Sequence, residues 1–277
     1  MQNAASSLYD RIQETALFLK PYLPEKPVAG IILGSGLGGL VASVEVLHRL
    51  PYKDIPQFPV STVKGHDGAL IIGRLSGRLV VLLAGRFHYY EGYPMEVVTF
   101  PVRVMQALGC ETLIVSNAAG AMNPSYRVGD IVLLRDHINL FPEHPLRGPN
   151  DERLGTRFPD MTEPYSLSLL EKAKAIAAAQ ELTVHKGVYI GLQGPTFETK
   201  AEYNWLRVIG GDVVGMSTVP EVIVAIHGGL KVFGASIVTD LGIREENNVI
   251  THEEVLEAAN AAAPKLARLV AALVETL

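Results

Sequence analysis

The sequence predicts an α/β fold whose buried strands end in residues suited to holding a ligand, and three observations carry the prediction. Residues 79–84 are six consecutive apolar residues, the pattern of a strand covered on both faces. They empty into Gly85-Arg86-Phe87-His88-Tyr89-Tyr90-Glu91-Gly92, and in open α/β sheets ligands gather where such strands end. Other strand-like stretches finish in the same way, on glycines, small residues or polar side chains, with helical patterns between them.

Arg86 supplies a fixed guanidinium suited to a phosphate, His88 a hydrogen-bonding imidazole two residues on, and Tyr90 an aromatic face with a hydroxyl. The competing reading is a solvated strand end, but a run of polar and aromatic residues between two glycines is more than a turn requires.

The 277 residues fit one large α/β domain or two small ones, and no serine-rich, proline-rich or charged linker divides them, so a single domain over 1–277 is expected. Hydrophobic residues at 48% and charged ones at 19% supply an ample core, without an apolar run long enough to span a membrane. A net charge of −5 with no basic stripe argues against a nucleic-acid surface. The single cysteine, Cys110, rules out an intramolecular disulfide and reads as a small buried hydrophobe. Residues 1–20 lack the basic region and apolar block of a signal peptide, which makes the cytoplasm the expected location.

Taken in order, Leu8, Ile12, Leu17 and Leu19 suggest a first amphipathic helix, ended by Pro21 and Pro24. A strand at 28–33 runs into Gly34-Ser35-Gly36-Leu37-Gly38-Gly39, which matches the dinucleotide fingerprint of glycines. That fingerprint also needs a helix and a second parallel strand ending in an acid, whereas 51–59 reads as loop, so the Rossmann reading loses. What survives is a glycine loop whose N–H groups, with the Ser35 hydroxyl, can wrap an anion. Strands at 69–75 and 79–84 follow a loop carrying Lys64-Gly65-His66. A helix over 95–108 has Pro101 inside it, which must bend it or mark its true start. A strand at 112–115 ends in Ser116-Asn117-Ala118-Ala119-Gly120, small residues that either let a planar ligand lie against backbone or form a tight strand-to-helix turn.

A strand at 131–134 carries Asp136 and His137 at its end, and the long irregular segment 139–164 is of the kind that is functional or lies at an interface. A helix over 167–182 and a strand at 188–190 lead into Gly194-Pro195-Thr196-Phe197-Glu198-Thr199. Glu198 either starts the helix at 199–208, since acids favour helix N-termini, or holds a ring N–H of a ligand. Residues 212–221 read as a short strand, a Gly215-Met216-Ser217 turn and a helix with Thr218 near its cap and Pro220 in its first turn. That helix N-terminus, with Ser217, forms another anion seat. A last strand at 230–238 ends at Thr239-Asp240, followed by a polar, lid-like stretch at 244–251. The final helix has His252 at its start, runs to Leu277 and is kinked or restarted at Pro264.

Ser35 in its glycine loop, His66, the 86–92 motif, Asn117-Ala118-Ala119-Gly120, Arg135-Asp136-His137-Ile138-Asn139, the 194–199 motif, Gly215-Met216-Ser217-Thr218-Val219-Pro220-Glu221 and His252-Glu253-Glu254 together resemble the trimeric purine nucleoside phosphorylases. Each motif alone is weak, but eight in this order are specific, and they cover nearly the whole chain. The resemblance implies a single α/β domain with a mixed, partly barrel-like central β-sheet flanked by helices, a homotrimer, and reversible phosphorolysis of purine nucleosides to base and pentose 1-phosphate. By position, Ser35, His66, Arg86, His88, Ala118 and Ser217 would hold phosphate, and Tyr90, Met216 and His252 the sugar. Ala119, Gly120, Phe197, Glu198, Val214 and Asp240 would line the base pocket. His88, Glu198, Asp240 and His252 are the residues it makes catalytic. It implies no metal and no organic cofactor, inorganic phosphate being a co-substrate, and neither a nucleic-acid partner nor a membrane.

The chain departs from the family pattern at two places. Asp240 stands where an asparagine faces purine N7 and the 6-substituent, and Leu154 stands where many members send a phenylalanine over a neighbour's sugar. An ionised Glu198 accepts the N1–H of inosine and guanosine, while a protonated Asp240 can donate to N7 and accept from a 6-amino group. Mixed selectivity is therefore expected, with 6-oxopurines turned over and adenosine tolerated. Three rival readings stand beside it. A 5′-methylthioadenosine phosphorylase would share the aspartate but lack Glu198 and His252. From other classes come a nicotinamide-dependent oxidoreductase, on the Gly34 loop, and a non-catalytic nucleoside-binding protein.

Overall fold

A computed structural model gives the protein nine strands and six α-helices among the residues it describes, 6–34, 38–60, 62, 67–242 and 251–277. The first helix, α1 (Leu8–Leu19), opens with a capping box: Ser7 Oγ accepts from the Asp10 N–H, and the Asp10 carboxylate accepts from the Ser7 N–H. Its buried face is Ile12, Thr15, Ala16 and Leu19. Leu17, expected on that face, is 63% exposed, because residues two apart on a helix do not share a side.

Strand β1 (Ala29–Ile32) is followed by β2 (Glu45–Pro51), β3 (Ala69–Leu75) and β4 (Arg78–Ala84). β3 and β4 form a hairpin turned at Ser76 and Gly77, both at positive φ, as the right-handed twist of the strands requires of a two-residue turn. β2 is an exposed edge strand antiparallel to β3. The chain beyond the glycine loop thus lacks the crossover helix and second parallel strand of a dinucleotide fold, and Rossmann chemistry has no scaffold here. β2 itself is a strand that the sequence pattern does not reveal.

After β5 (Thr112–Ala121) come β6 (Ile131–Asn139), β7 (Val184–Gly191), β8 (Val213–Gly215) and β9 (Lys231–Leu241). The strand order is β2-β3-β4-β1-β5-β8-β7-β6-β9, and β9 pairs again with β5. Five strands therefore close on themselves, while β1, β4, β3 and β2 extend from β5 as a wing, giving the mixed, partly barrel-like sheet. One edge of β5 pairs with parallel β1 over Thr112–Val115 and with antiparallel β8 only at Gly120 and Ala121. Between those points that edge changes neighbours, the kind of switch point at which α/β sheets open a ligand crevice.

Residues 116–120 stay in strand because β9 runs beside them to Leu241, so the alternative of a tight strand-to-helix turn is overturned. β6 likewise continues past Leu134 to Asn139, carried by its pairing with β7. α2 (Met95–Ala107) starts six residues before Pro101, and α6 (His252–Glu275) runs through Pro264, so neither proline begins a helix. Between them lie α3 (Leu167–Ala179), α4 (Lys200–Val208) and α5 (Val219–His227). α1 and α5 pack on α2, and α6 packs on β9 and α3.

The segment 140–166 holds no helix or strand, as expected, but Leu154 is only 8% exposed and joins the core of its own chain. It is therefore not poised to cap a neighbour's pocket. Cys110 is buried, and that burial pushes its thiol up to about 12. No helix among the described residues is long and apolar enough to cross a membrane.

The burial pattern makes a contrast that equilibrium unfolding in urea can read. Leu113→Ala empties a fully buried site in β5 and is expected to cost about 2–5 kcal/mol. Leu17→Ser should change stability by no more than about 0.5 kcal/mol. Comparable losses at the two sites would contradict this packing.

Candidate active site

The ends of β4, β5, β8 and β9 open on one cleft of about 490 Å³. Arg86, His88 and Tyr90 reach it from the segment after β4, and Ala118, Ala119 and Gly120 from β5 itself. Val214 belongs to β8, Met216 and Ser217 to the turn after it, and Asp240 to β9. Phe197 and Glu198 come from just before α4, and His252 is the first residue of α6. Every site residue expected from the sequence within the described part of the chain lines this cleft. Ser35, His66 and the stretch 244–250 lie outside the described residues.

The guanidinium of Arg86 does not arrive as an isolated charge. Its Nε and Nη2 groups each donate to Glu221 at 3.1 Å, a bidentate ion pair whose two side chains are 1% and 4% exposed. Nη1 donates to Ser116 O at 2.7 Å and to Ser217 Oγ at 3.2 Å. Its charge is matched by Glu221, and it fixes the strand end and the serine around it. Gly34 packs against this cluster. A Cβ there would stand 2.7 Å from Ser116 O and 3.2 Å from Arg86 Nη1, so close approach explains that glycine.

The expected anion seat at the N-terminus of α5 also changes. The Val219 N–H bonds to Ser217 O at 2.7 Å, Pro220 has no N–H, and the Ser217 N–H points to the Tyr189 hydroxyl at 3.3 Å. Glu221 occupies the helix's first turn in place of an external anion. What faces the cleft is the Ser217 hydroxyl, which touches Thr218 Oγ1 at 3.1 Å. Asn117 Nδ2 donates to that same Thr218 oxygen at 2.9 Å, holding a β-branched residue at φ 68°. With Arg86 and Thr218 both able to donate to Ser217 Oγ, its own proton can be given to a ligand.

His88 is set by Glu91. One carboxylate oxygen accepts from the His88 backbone N–H at 2.7 Å and lies 3.1 Å from Nδ1, while the other accepts from the Thr62 N–H and hydroxyl at 2.8 and 2.7 Å. Burial alone would raise Glu91, but these bonds outweigh it and hold the carboxyl at about 2. Burial lowers His88, with the Arg86 charge adding to it against the opposing pull of the Glu91 hydrogen bond. The imidazole stacks on Tyr90, centroids 4.7 Å apart and planes 15° from parallel.

A second cluster holds the carboxylates. Asp240 Oδ2 accepts from the Tyr203 hydroxyl at 3.2 Å, and Oδ1 lies 3.0 Å from Thr239 Oγ1. Glu198 lines the cleft beside Tyr203 and is not the cap of α4. That role falls to Thr199, paired with Glu202 in a capping box. Burial raises Glu198, and the charge of Asp240 adds to it. Sequence reasoning does not assign roles to Glu221, Glu91 or Tyr203. Glu221 has a legible signal, a single charge inside the apolar helix Val-Pro-Glu-Val-Ile-Val-Ala-Ile. Tyr203 has none, since Asp240 lies 37 residues away and the tyrosine's own segment reads as an ordinary amphipathic helix.

Comparison with known proteins gives a consistent result. Residues 28–275 match the family model described as the phosphorylase superfamily. The chain is 51% identical over 266 residues to purine nucleoside phosphorylase 1 of Geobacillus stearothermophilus, covering 96% of this chain and 97% of that one. It is 50% identical to the purine nucleoside phosphorylase of Rattus norvegicus over 97% of this chain and 96% of the other. Among solved structures, a schistosoma purine nucleoside phosphorylase in complex with hypoxanthine superposes with a TM-score of 0.92 at 41% identity, covering 99% of both chains. The Schistosoma mansoni enzyme in complex with adenosine gives a TM-score of 0.90 at 42% identity over 97% of both.

The Glu91 clamp has a pH signature. Its carboxyl titrates at about 2 in the folded chain against 4.5 for an unperturbed group, so its contribution to stability is complete above that unperturbed value and is lost as pH falls toward the folded one. Glu91→Gln should be less stable than the parent at neutral pH, and the difference should shrink as urea unfolding is repeated at falling pH. A difference that stays constant down to the acid limit would show that the carboxylate charge is not what holds His88.

Proposed function

Since the chain belongs to the phosphorylase superfamily and, within it, to the purine nucleoside phosphorylases, we propose that its cleft transfers the pentose of a purine nucleoside to inorganic phosphate. The observation that carries the assignment to this cleft is that it joins two chemically different clusters. One is built of Arg86, His88, Ser217 and the β5 backbone, the other of Glu198 and Asp240. The first suits an oxyanion nucleophile and the second a heterocycle with ring nitrogens and a 6-substituent.

Phosphate is held by Ser217, the Ala118 backbone, His88 and Arg86, with Ser35 and His66 completing the seat. The sugar lies against Tyr90 and Met216 with its 5′-hydroxyl toward His252. The base rests on Ala119, Gly120, Phe197 and Val214, its edge toward Glu198 and Asp240. A phosphate oxygen forms a bond to C1′ as the C1′–N9 bond breaks, and the electron pair leaves with the purine, where charge gathered at N7 is met by a proton from the Asp240 side. Phosphate is both nucleophile and counter-charge to an oxocarbenium-like sugar, so the paired carboxylates of a hydrolase are not required. The reaction as written needs no metal or organic cofactor.

Both 6-oxo and 6-amino purines fit this arrangement, and the relative solved with adenosine supports a family pocket that admits the latter. Glu198 and His252, both facing the cleft, favour this activity over that of a methylthioadenosine phosphorylase. The reading extends to a single domain over 1–277, a cytoplasmic location and a homotrimer.

Incubation with inosine, with and without phosphate, tests the proposal. Hypoxanthine and pentose 1-phosphate should appear only when phosphate is present, and His252→Ala should lower kcat/KM for inosine more than for 5′-deoxyinosine. Base release without phosphate, or none with it, would overturn the assignment.

A further inference from the structure

Building on the phosphorylase reading, we propose that Tyr203 is a specificity-determining residue, whose hydroxyl joins Glu198 to Asp240 so that the two carboxyls share one proton and the pocket takes both 6-oxo and 6-amino purines.

The position of the hydroxyl is set by packing. Tyr203 lies in the first turns of α4, 3% exposed. A Cβ on Gly242 would overlap its ring, at 2.0 Å from Cε1, and a Cβ on Gly120 would come 2.9 Å from its hydroxyl and 2.8 Å from Asp240 Oδ2. Two glycines therefore leave room for a phenol wedged against the aspartate. Its hydroxyl donates to Asp240 Oδ2 at 3.2 Å, and Tyr203, Glu198 and Asp240 line the same cleft. Burial, followed by the charges of Asp240 and Glu198, keeps the phenol protonated. It thus has one proton to give and two carboxyls to receive it.

Two carboxylates this close in a buried site do not both stay ionised at little cost. Asp240 and Glu202 both bear on Glu198 in the direction of protonation. Thr239 adds the same ambiguity on the far side of Asp240. Its hydroxyl is 3.3 Å from Ala119 O and 3.0 Å from Asp240 Oδ1, two acceptors for one proton, so Asp240 can either receive from it or donate to it. The contacts described for the cluster therefore allow two hydrogen-bonding arrangements at one net charge.

In the first, Glu198 is ionised and accepts the N1–H of a 6-oxopurine, Tyr203 donates to Glu198, and a protonated Asp240 donates to the base. In the second, Glu198 carries the proton and donates to the bare N1 of a 6-aminopurine, while Asp240 is ionised, accepts from the 6-amino group and receives the Tyr203 hydroxyl. No proton is gained or lost between them, and the tyrosine follows the charge. Asp240 is the more deeply buried of the two carboxyls, so the second arrangement leans more on the tyrosine.

Tyr203→Phe keeps the ring and removes the donor. It should lower kcat/KM for adenosine about tenfold relative to inosine, the loss typical of one charge-assisted hydrogen bond. In an Asp240→Asn background the same substitution should leave the ratio of the two substrates unmoved. Equal losses on both substrates, no loss, or a shift that persists in the Asp240→Asn background would each overturn the proposal. The unmodified protein supplies a test independent of folding: calorimetric titration with hypoxanthine and with adenine, in buffers of different ionisation enthalpy, should give the same proton exchange for both bases. An extra proton taken up with adenine would overturn the shared-proton arrangement. A protein that gives no heat with either base and no phosphate-dependent turnover would overturn the phosphorylase reading itself, a distinct result.

Discussion

The buried ion pair between Arg86 and Glu221 is the constraint on which the rest of the site depends. It joins residues 135 positions apart, one just past the end of a wing strand and the other in the first turn of the helix between β8 and β9 of the closed part of the sheet. Through Nη1 it also grips Ser116 in β5, the strand common to both parts. Two charges removed from water are tolerable only when each is matched and hydrogen-bonded. That requirement holds three elements in one relation to each other, and the cleft is the space between them. Gly34 is a glycine, and Ser217 is where it is, as consequences of that packing.

The two clusters in the cleft manage charge in opposite ways. At the Arg86 end of the cleft, Arg86 is paired with Glu221 and the Nδ1 side of His88 with Glu91. What remains toward the cleft are hydroxyl, backbone and imidazole groups whose orientation is already fixed, and preorganised groups of that kind stabilise developing charge without reorganising. At the other end, Glu198 and Asp240 line the cleft with Tyr203, whose hydroxyl donates to Asp240, and a threonine hydroxyl lies behind that aspartate. Their protonation can then follow the ligand. One end of the cleft is rigid in its charges and the other adjustable, a division suited to a constant nucleophile and a variable base.

Much of this is legible in the sequence because the residues are local. A six-residue apolar strand emptying into Arg-Phe-His-Tyr-Tyr needs no tertiary information to be noticed, and each later strand end announces itself by glycines or a change to polar residues. What escapes are relationships across the chain. Side-chain pattern ends two strands early, at Val115 and Leu134, where residues turn small or polar, while the ladders continue on backbone pairing with β9 and β7 that no side chain advertises. The edge strand β2 is exposed along its length and has no buried face to read. Leu154 reads as a residue offered to a neighbour, yet it packs at home. Glu221 and Tyr203 act through partners far away in sequence.

A double-mutant cycle on the ion pair tests the central claim most directly. Arg86→Met and Glu221→Leu should each cost about 3–5 kcal/mol in urea unfolding, since each removes the opposite charge from a buried partner. The double variant should recover most of that stability while its KM for phosphate rises on the order of a hundredfold. Additive losses of stability, or a double variant that uses phosphate as well as the parent does, would show that the pair neither frames the site nor seats the nucleophile.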